Sequence, residues 1–436
     1  MTTCYDPTSY TLNRNGFENI YEDTHIYQTW LDIEAILAKV QIELGIIPKA
    51  AGEVIIQHCD IGLLDRDNII QGYIKTKHPL VPVLNELGRI VGDEAAKYIH
   101  YGITTQNIQQ TAELYLCKRF NQEFIALIDK MVVNIGELKR RNKDVVIAAR
   151  THSRHALPIL LNTKFAVWED ELLRCKDILV GSAPGIFQVM MGGAVGGFHT
   201  LPEVGPSMQA RIAELLEMGE MKIPSRSIRV HMCQYVNNLT LIAQSCAKIA
   251  EEVYISSSEE YSEMSEGFSE GQIGSSTMPQ KINPALCYGI IGNARILFNL
   301  PSTMLNMAVR PFEADGCSNL IIDNSLREAN LLTHEIMLKT EALLQDLFVD
   351  RAAMQRNLDI TQGMISAENV MMVLSKKGLG KAKAHEAVYD IIMRAKKEAI
   401  SFSEAYIRQP ELHAFLSVDE FEKAIAPRSY VGLEYC

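Results

Sequence analysis

Residues 271–284, GQIGSSTMPQKINP, bring together the side chains with the clearest chemical potential in the chain. Two glycines and two prolines in so short a segment predict a loop with defined turns rather than a helix. The loop displays the hydroxyls of Ser275 and Ser276 beside the cation of Lys281 and the amide of Asn283. A serine that gives up its proton needs cationic and amide hydrogen-bond donors to hold the resulting anion. The segment therefore predicts a proton-transfer site, although its composition alone fits a Gly/Pro-rich connector equally well.

A second polar cluster stands at a predicted helix start within HYGITTQNIQQ. Gly102 permits a sharp turn, and the hydrogen-bonding residues Thr104, Thr105, Gln106 and Asn107 lead into the helix. A helix start with hydroxyls and free N–H groups is suited to bind a carboxylate. A simple helix cap explains the same residues about as well, so both interpretations stay open at this point.

Two histidines, His152 and His155, flank Ser153 and Arg154 in the segment AARTHSRHALPILL. The segment is polar and precedes Pro158, which predicts a position close to a helix start. Histidine has a pKa suited to proton transfer near neutral pH, although a structural histidine is the commoner case. The spacing of the two histidines would allow metal ligation, but no nearby Cys or acidic residue completes a set, so we predict no metal site.

The composition excludes several classes of protein. The 436 residues are 47% hydrophobic but only 7% aromatic, which favours helices packed through aliphatic side chains. The formal net charge of −11 and the lack of a long basic run argue against a nucleic-acid partner. No apolar run reaches membrane-spanning length and no signal-peptide pattern appears, so a cytoplasmic protein without a membrane partner is expected. Nine scattered cysteines without a CxxC pair predict free thiols.

Helical periodicity dominates the chain and must position these clusters. In the first segment, apolar residues recur every three or four positions up to a stop at Gly45: Ile26, Trp30, Ile33, Leu37, Val40 and Leu44. Asp32 and Glu34 of the same helix are predicted to lie on its solvated face. Residues 225–266 contain neither Gly nor Pro, which predicts one helix of roughly 60 Å that needs a bundle around it.

These patterns predict an all-α fold with three domains. We expect an N-terminal helical domain at residues 1–104, a central long-helix bundle with the catalytic loops at 105–349, and a small helical domain at 350–436. Three apolar residues, Ile273, Met278 and Ile282, predict that the loop at 271–284 is ordered.

The segment SSTMPQKINP resembles the signature loop of the fumarase/aspartase superfamily, whose pattern is GSSxMPxKxNP. Every fixed position is filled, by Gly274, Ser275, Ser276, Met278, Pro279, Lys281, Asn283 and Pro284. HYGITTQNIQQT is similar to the family pattern HxGxTSxDvxxT, ARTHSRHALP to GxTHxQxAxP, and MGGAVGGFH to a GGAVGT turn with a structural role. The N-terminal helix and the C-terminal segment resemble the branch of adenylosuccinate lyases and 3-carboxymuconate cycloisomerases.

The resemblance implies a role for each matched residue. Ser275 corresponds to the general base that takes a proton from carbon, and His152 to the proposed general acid of adenylosuccinate lyases. Lys281 and Asn283 would hold a substrate carboxylate or an enolate-like intermediate. The other substrate-binding residues implied in this way are His100, Thr104, Thr105, Gln106, Thr151, Gln234, Ser276 and Met278.

The resemblance further implies a homotetramer with shared active sites and a small dicarboxylate-type substrate. No cofactor is implied, because the substrate carboxylate itself serves as the electron sink.

The chain departs from the adenylosuccinate lyase patterns at three places. The RYxxpEM motif is NIYEDTHI here, HERD is FEAD, and QRD is QYV. Ala314 and Tyr235 thus stand where arginines would contact anionic groups such as a nucleotide phosphate. We predict a fumarate-releasing carbon–nitrogen lyase acting on an N-substituted aspartate that lacks such a phosphate. The alternatives are a 3-carboxymuconate-type cycloisomerase and an inactive family member that serves as a scaffold.

Overall fold

The computed structural model describes residues 14–268, residue 271 and residues 274–435. It confirms the all-α fold class, with only short strands among many helices. The helices, in chain order from α1 to α17, are Asp23–Glu43, Lys49–His58, Arg66–Thr76, Val81–Val91, Asp93–Ala96, Thr105–Arg141, Leu161–Ile186, Gly205–Leu215, Val230–Ser256, Ala285–Leu297, Leu300–Ala308, Gly316–Gln345, Arg351–Asp359, Ala367–Leu374, Lys381–Glu398, Phe402–Ile407 and Val418–Ile425.

Shorter helical turns and three two-stranded sheets complete the described chain. The turns are Ile61–Leu63, Met364–Ser366, Ser375–Leu379, Pro410–Leu412 and Pro427–Tyr430. The strands β1 to β6 are Val146–Thr151, Arg154–Leu160, Gln188–Val189, Gly219–Glu220, Met264–Ser265 and Phe348–Val349. Strands β1 and β2 form an antiparallel hairpin, β3 and β4 pair in parallel, and β5 and β6 pair antiparallel.

The contacts within the chain define two compact units. Unit 1 contains the described residues up to Ile128, Arg174–Cys246 and Gly289–Lys339. Unit 2 contains Asp129–Leu173, Ala247–Tyr288 and the described residues from Thr340 onward. The three-domain division at 104/105 and 349/350 stays a prediction. Helix α6 begins at Thr105 and strand β6 ends at Val349, so both predicted boundaries coincide with the ends of elements.

Helix α1 follows the predicted apolar periodicity and ends at Glu43, shortly before Gly45 with its left-handed φ of +66°. The prediction for Glu34 was wrong, because this carboxylate is buried in unit 1, whereas Asp32 is exposed as expected. A buried carboxylate needs a partner, and Glu34 finds one in His100, described below.

The helix predicted over residues 225–266 is shorter than expected. Helix α9 has 27 residues, or about 40 Å, and α6 is the longer element with 37 residues, or about 55 Å. The helix ends at Ser256. Directly after it, the hydroxyl of Ser257 donates to the carbonyl of Tyr254, and the hydroxyl of Ser258 donates to the carbonyl of Ile255. Such local side-chain hydrogen bonds compete with helix propagation and account for the early end.

A buried tyrosine joins three long helices within unit 1. The hydroxyl of Tyr235 on α9 donates to Oδ1 of Asn330 on α12 at 2.6 Å and lies 3.2 Å from the carbonyl of Cys117 on α6. Asn330 in turn donates to the hydroxyl of Tyr21 at 2.8 Å. Position 235 is therefore a core position in this chain, and its side chain has no exposed atom with which to contact an anion.

Three further findings concern absences among the described residues. None of the described helices combines the length and apolar character needed to cross a membrane. No group of three or more His, Cys, Asp or Glu side chains in residues 14–268, 271 and 274–435 is placed to hold a metal ion. The seven cysteines in these same ranges are free thiols.

Candidate active site

The loop that carries the serine pair folds back on itself within unit 2. A Cβ added to Gly274 would lie 2.5 Å from the carbonyl oxygen of Lys281 and 2.8 Å from the Cα of Ile282. Only glycine allows the two arms of the loop to approach this closely. Gly274, which directly precedes Ser275, therefore packs against the backbone of Lys281. Ser275 is half-buried, and its Oγ accepts a hydrogen bond from the N–H of Met278 at 3.2 Å.

The apolar side chains of the loop do not anchor it as predicted. Met278 and Ile282 are both exposed, and Ile273 lies outside the described residues. The anchor is Glu266, which precedes the loop and accepts hydrogen bonds from the N–H groups of Leu286 and Cys287 at 3.1 and 2.6 Å. These donors belong to the first turn of α10, where a carboxylate is favoured by the helix dipole. Glu266 thus closes the loop at its base.

The functional groups of this loop differ in exposure. Ser276 and Lys281 are exposed and Asn283 is half-buried. A cation and an amide donor therefore stand on the same short loop as Ser275, as the sequence predicted.

His152 lies at the tip of the β1–β2 hairpin. The predicted position near a helix start was therefore wrong. Two residues, His152 and Ser153, connect the strands, with left-handed φ values of +51° and +61°. A two-residue hairpin loop with both residues in this region matches the right-handed twist of the strands, but it usually contains Asn and Gly. The hairpin exposes the imidazole of His152 to solvent, with Thr151 also exposed beside it.

The second histidine of the hairpin is part of its support. His155 pairs with Arg150 across the two strands, and burial and then the charge of Arg150 lower its pKa. Arg150 makes a bidentate ion pair with Glu263, at 2.6 and 2.9 Å, and lies over the ring of Tyr261. This cluster holds the strands that present His152.

The start of α6 in unit 1 is organised by Asn107. Its Oδ1 accepts hydrogen bonds from the N–H groups of Thr104 and Gly193, both at 3.1 Å. A neutral amide therefore caps this turn where the family has an Asp. Gly193 belongs to the Gly-rich turn after Met190 and Met191, which are buried as predicted.

Sequence reasoning missed His78, which contacts the predicted carboxylate-binding loop. Its Nδ1 lies 3.3 Å from the N–H groups of Leu80 and Val81 and accepts from them. Burial lowers the pKa of His78, and the charge of His100 lowers it further. The neutral ring then carries its hydrogen on Nε2 and donates it to Oγ1 of Thr105 at 3.3 Å. The hydroxyl hydrogen of Thr105 is left free to donate to a ligand.

His100 is held by a buried carboxylate. Its Nδ1 lies 2.6 Å from Oε1 of Glu34, while its Nε2 is buried and has no partner among the described residues. A carboxylate that contacts one ring nitrogen orients the imidazole and thereby sets the position of the other nitrogen, which can then contact a ligand. Glu34 could have been found from the sequence by its place among the apolar residues of α1.

Gln106 is positioned by a chain of polar contacts in unit 1. Its Oε1 accepts from Nδ2 of Asn319 at 3.0 Å, and Oδ1 of Asn319 accepts from Nη2 of Arg229 at 3.0 Å. The other guanidinium nitrogen of Arg229 donates to Gln110, one turn farther along α6, at 2.8 Å. Arg229 is a buried positioning residue that no sequence motif indicates.

The predicted site residues fall into two groups by unit. In unit 1, His100, Thr104, Thr105 and Gln106 share one turn, and Gln234 is exposed on α9. In unit 2, the serine loop carries five predicted residues and the hairpin two: Ser275, Ser276, Met278, Lys281 and Asn283, then Thr151 and His152. Each unit therefore brings together part of the predicted set.

Known proteins are similar to this chain over nearly its full length. The family described as Lyase matches residues 9–296, and the family described as Adenylosuccinate lyase C-terminus matches residues 363–434. Adenylosuccinate lyase of Methanocaldococcus jannaschii is 30% identical over 433 residues, which cover 98% of this chain and 93% of that protein. N-acetyl-S-(2-succino)cysteine lyase of Dickeya dadantii is 30% identical over 402 residues, covering 92% of this chain and 88% of that protein.

A solved structure is similar throughout. The crystal structure of fumarate lyase from Mesorhizobium sp. BNC1 matches with a TM-score of 0.88 and 27% sequence identity. The match covers 95% of this chain and 94% of that one.

Proposed function

The chain belongs to the adenylosuccinate lyase and 3-carboxymuconate cycloisomerase branch of the fumarase/aspartase superfamily, and we propose that it releases fumarate from a substituted succinate by β-elimination. It is a carbon–nitrogen or carbon–sulfur lyase of that superfamily. The observation that carries the proposal is the complete signature loop, folded so that Ser275 and Lys281 lie on adjoining arms.

The first step is proton abstraction from carbon. Ser275, as the alkoxide, takes the proton from the carbon β to the leaving group, and the electron pair moves into the adjacent carboxylate. The resulting aci-carboxylate carries a second negative charge, which needs preorganised donors. Lys281 and Asn283 supply a cation and an amide for it.

The start of α6 binds a substrate carboxylate. Thr105 supports this role because His78 satisfies its oxygen and leaves its hydroxyl hydrogen to donate. The N–H groups in the first turn of a helix add further donors without intrahelical partners. Gln106 is held in place beside them by Asn319.

The second step breaks the bond to the leaving group. The electrons return from the aci-carboxylate, the new C=C bond forms, and the C–N or C–S bond cleaves to give fumarate. An amine cannot leave as an anion, so a proton must reach the nitrogen. His152, exposed at the hairpin tip, is the proposed donor.

The leaving group is an amine or a thiol without a nucleotide phosphate. Ala314 is exposed and has no charge to offer a phosphate, which supports this prediction. Tyr235 gives no support in either direction, because it is a core residue. Turnover of adenylosuccinate with kcat/KM in the usual range of about 10⁴–10⁸ M⁻¹s⁻¹ would overturn the phosphate argument.

The active enzyme is a homotetramer in which sites draw on more than one subunit. Large apolar side chains are exposed along the long helices of the single chain, among them Val133 on α6, Val180 on α7 and Leu320 on α12. Apolar surface of this kind is expected at an interface between subunits.

A fumarate-release screen tests the activity. N-substituted aspartates and S-substituted succinates are supplied in parallel, and fumarate is measured directly. Ser275→Ala should lower kcat by roughly 10²–10⁴-fold. Thr277→Ala, at the variable position of the same signature, is the matched control and should keep wild-type turnover. Failure of every succinate adduct, with turnover of a carboxymuconate, would favour the cycloisomerase alternative.

A further inference from the structure

A cavity of about 520 Å³ lies within unit 1, between helices α1, α3, α6 and α12 and the segments beside them. Its volume falls in the range of small-molecule sites, roughly 300–1,000 Å³. Four aromatic rings face it, those of Tyr21, Tyr27, Trp30 and Tyr73. We call it the aromatic cavity.

Acidic side chains outnumber basic ones around the aromatic cavity. Three carboxylates line it, Asp23, Glu113 and Asp323, against one cation, Arg327. Arg327 lies with its guanidinium 5.4 Å from the ring centre of Tyr21. Glu113 is half-buried, and its hydrogen-bonding contact is the hydroxyl of Tyr21 at 3.5 Å.

The ionisation of Glu113 reflects these surroundings. Burial, and then the charge of Asp323, raise its pKa to about 8, while Tyr21 and Arg327 act in the opposite direction. An added cation in the cavity would favour the ionised carboxylate, whereas an added anion would be repelled. Aromatic faces also attract organic cations.

The aromatic cavity adjoins the predicted carboxylate-binding turn. Gln109, which lines the cavity, lies one helical turn after Thr105 on α6. Pro79 also lines it and directly follows His78, whose ring contacts Thr105. A ligand held at Thr105 by its carboxylate therefore has this cavity next to it.

We infer that the aromatic cavity binds the leaving-group part of the substrate and selects one that carries a protonated amine or another organic cation on an apolar body. The inference rests on the proposed function only for the identity of the leaving group. The charge selectivity of the cavity is a separate property and can be measured without turnover.

Binding of three small aromatic probes of similar size measures the charge selectivity. Benzylamine, benzyl alcohol and benzoate are titrated by calorimetry and by the fluorescence of Trp30, with Trp30→Phe locating the signal in the cavity. Benzylamine should bind at least about tenfold more tightly than benzoate, which corresponds to a difference of about 1.4 kcal/mol. Asp323→Asn and Glu113→Gln, both nearly isosteric, should each reduce the difference. Benzoate binding as tightly as benzylamine to the wild type overturns the inference, whether or not the variants fold.

A matched substrate set connects the cavity with the reaction. N-(2-aminoethyl)aspartate, N-(2-hydroxyethyl)aspartate and N-(carboxymethyl)aspartate differ only in the charge at the end of the leaving group. The expected order of kcat/KM is amine, alcohol, carboxylate, and Asp323→Asn should lower kcat/KM for the amine by a larger factor than for the alcohol. Fumarate release with the carboxylate as good a substrate as the amine refutes the inference alone. If no adduct in the full screen releases fumarate while benzylamine still binds selectively, the proposed function fails and the cavity selectivity stands.

Discussion

The Nδ1 atom of His100 lies 2.6 Å from Oε1 of Glu34, and this buried contact ties helix α1 to the turn that leads into α6. His100 adopts a left-handed φ of +57°, a conformation that needs support from its surroundings. Glu34 supplies that support from a buried position on α1. The carboxylate therefore positions the turn that is proposed to bind the substrate.

Glu34→Gln should disturb both the stability and the substrate binding of the enzyme. The amide loses the charge that strengthens the contact, which is expected to cost about 1.5–3 kcal/mol of unfolding free energy. KM should rise more than kcat falls, because the proposed role of His100 is to bind the substrate. Thermal unfolding and steady-state kinetics measure the two effects. Asp32→Asn, on the exposed face of the same helix, is the control. Equal behaviour of the two variants would contradict the role of Glu34.

Gly274→Ala should damage catalysis far more than stability. The new methyl group would meet the backbone of Lys281 at 2.5 Å, so the arms of the loop must separate. We expect kcat to fall at least about tenfold, since small displacements of reacting groups are costly. Gly292→Ala is the control, because a Cβ there meets open space. An active Gly274→Ala enzyme would show that the close approach is dispensable.

The elements that sequence predicts best are those whose pattern is local. The apolar spacing of α1 and the hydroxyl-rich start of α6 depend on neighbouring residues, and both were found. Glu34 stands among the apolar residues of α1, but its partner His100 lies 66 positions away, and no local pattern reports such a partner. The β1–β2 hairpin was missed because its turn residues, His152 and Ser153, are not the Asn and Gly that normally announce one.

For the candidate site, too, the sequence predicted the local features and not the contacts between distant segments. The signature loop could be identified by its residues, since glycine, proline and the polar groups all lie within it. Its support by Glu266 and the contact of His78 with Thr105 arise only when distant segments meet. Arg229 is of the same kind, because it reaches Gln106 through a third residue.

His152→Ala should separate the two leaving-group classes. An amine must be protonated as it leaves, and loss of a general acid typically costs about 10²–10⁴-fold. A thiol with a pKa near 8.5 can leave as the thiolate, so its elimination should fall by about tenfold at most. Fumarate release from matched N- and S-substituted succinates gives the two ratios. Equal losses for both classes would remove His152 from the proton-donor role.

Mixtures of two variants test the proposed homotetramer with shared sites. Ser275→Ala and His152→Ala subunits should each be inactive alone toward an amine adduct. After subunit exchange, some sites would combine the intact Ser275 of one chain with the intact His152 of another, and activity should return in part. Mixtures that stay inactive although exchange is verified, or a monomer by light scattering, would speak against sharing.

The raised pKa of Glu113 predicts how stability depends on pH. The folded protein keeps a proton on this carboxyl up to about pH 8, while the unfolded chain gives it up near 4.5. The folded state therefore holds more protons in this window, and its stability falls as the pH rises through it. Glu113→Gln stays neutral throughout. The unfolding temperature of the variant minus that of the wild type should therefore increase from pH 5 to pH 8. A constant difference over this range would mean that Glu113 ionises normally.

Glu266 has a consequence for how the reactive loop could be exchanged between related enzymes. It joins the two ends of a 20-residue span by bonding to Leu286 and Cys287, from a position outside the signature. Closing a span of this length costs chain entropy. The hydrogen bonds that offset this cost come from Glu266, Leu286 and Cys287, so they do not depend on which residues form the signature. The loop thus behaves as a cassette with a fixed frame. Replacing the signature between Glu266 and α10 by that of a relative should transfer the reactivity of the relative. In the Glu266→Ala variant the same replacement should give a loop without a defined conformation.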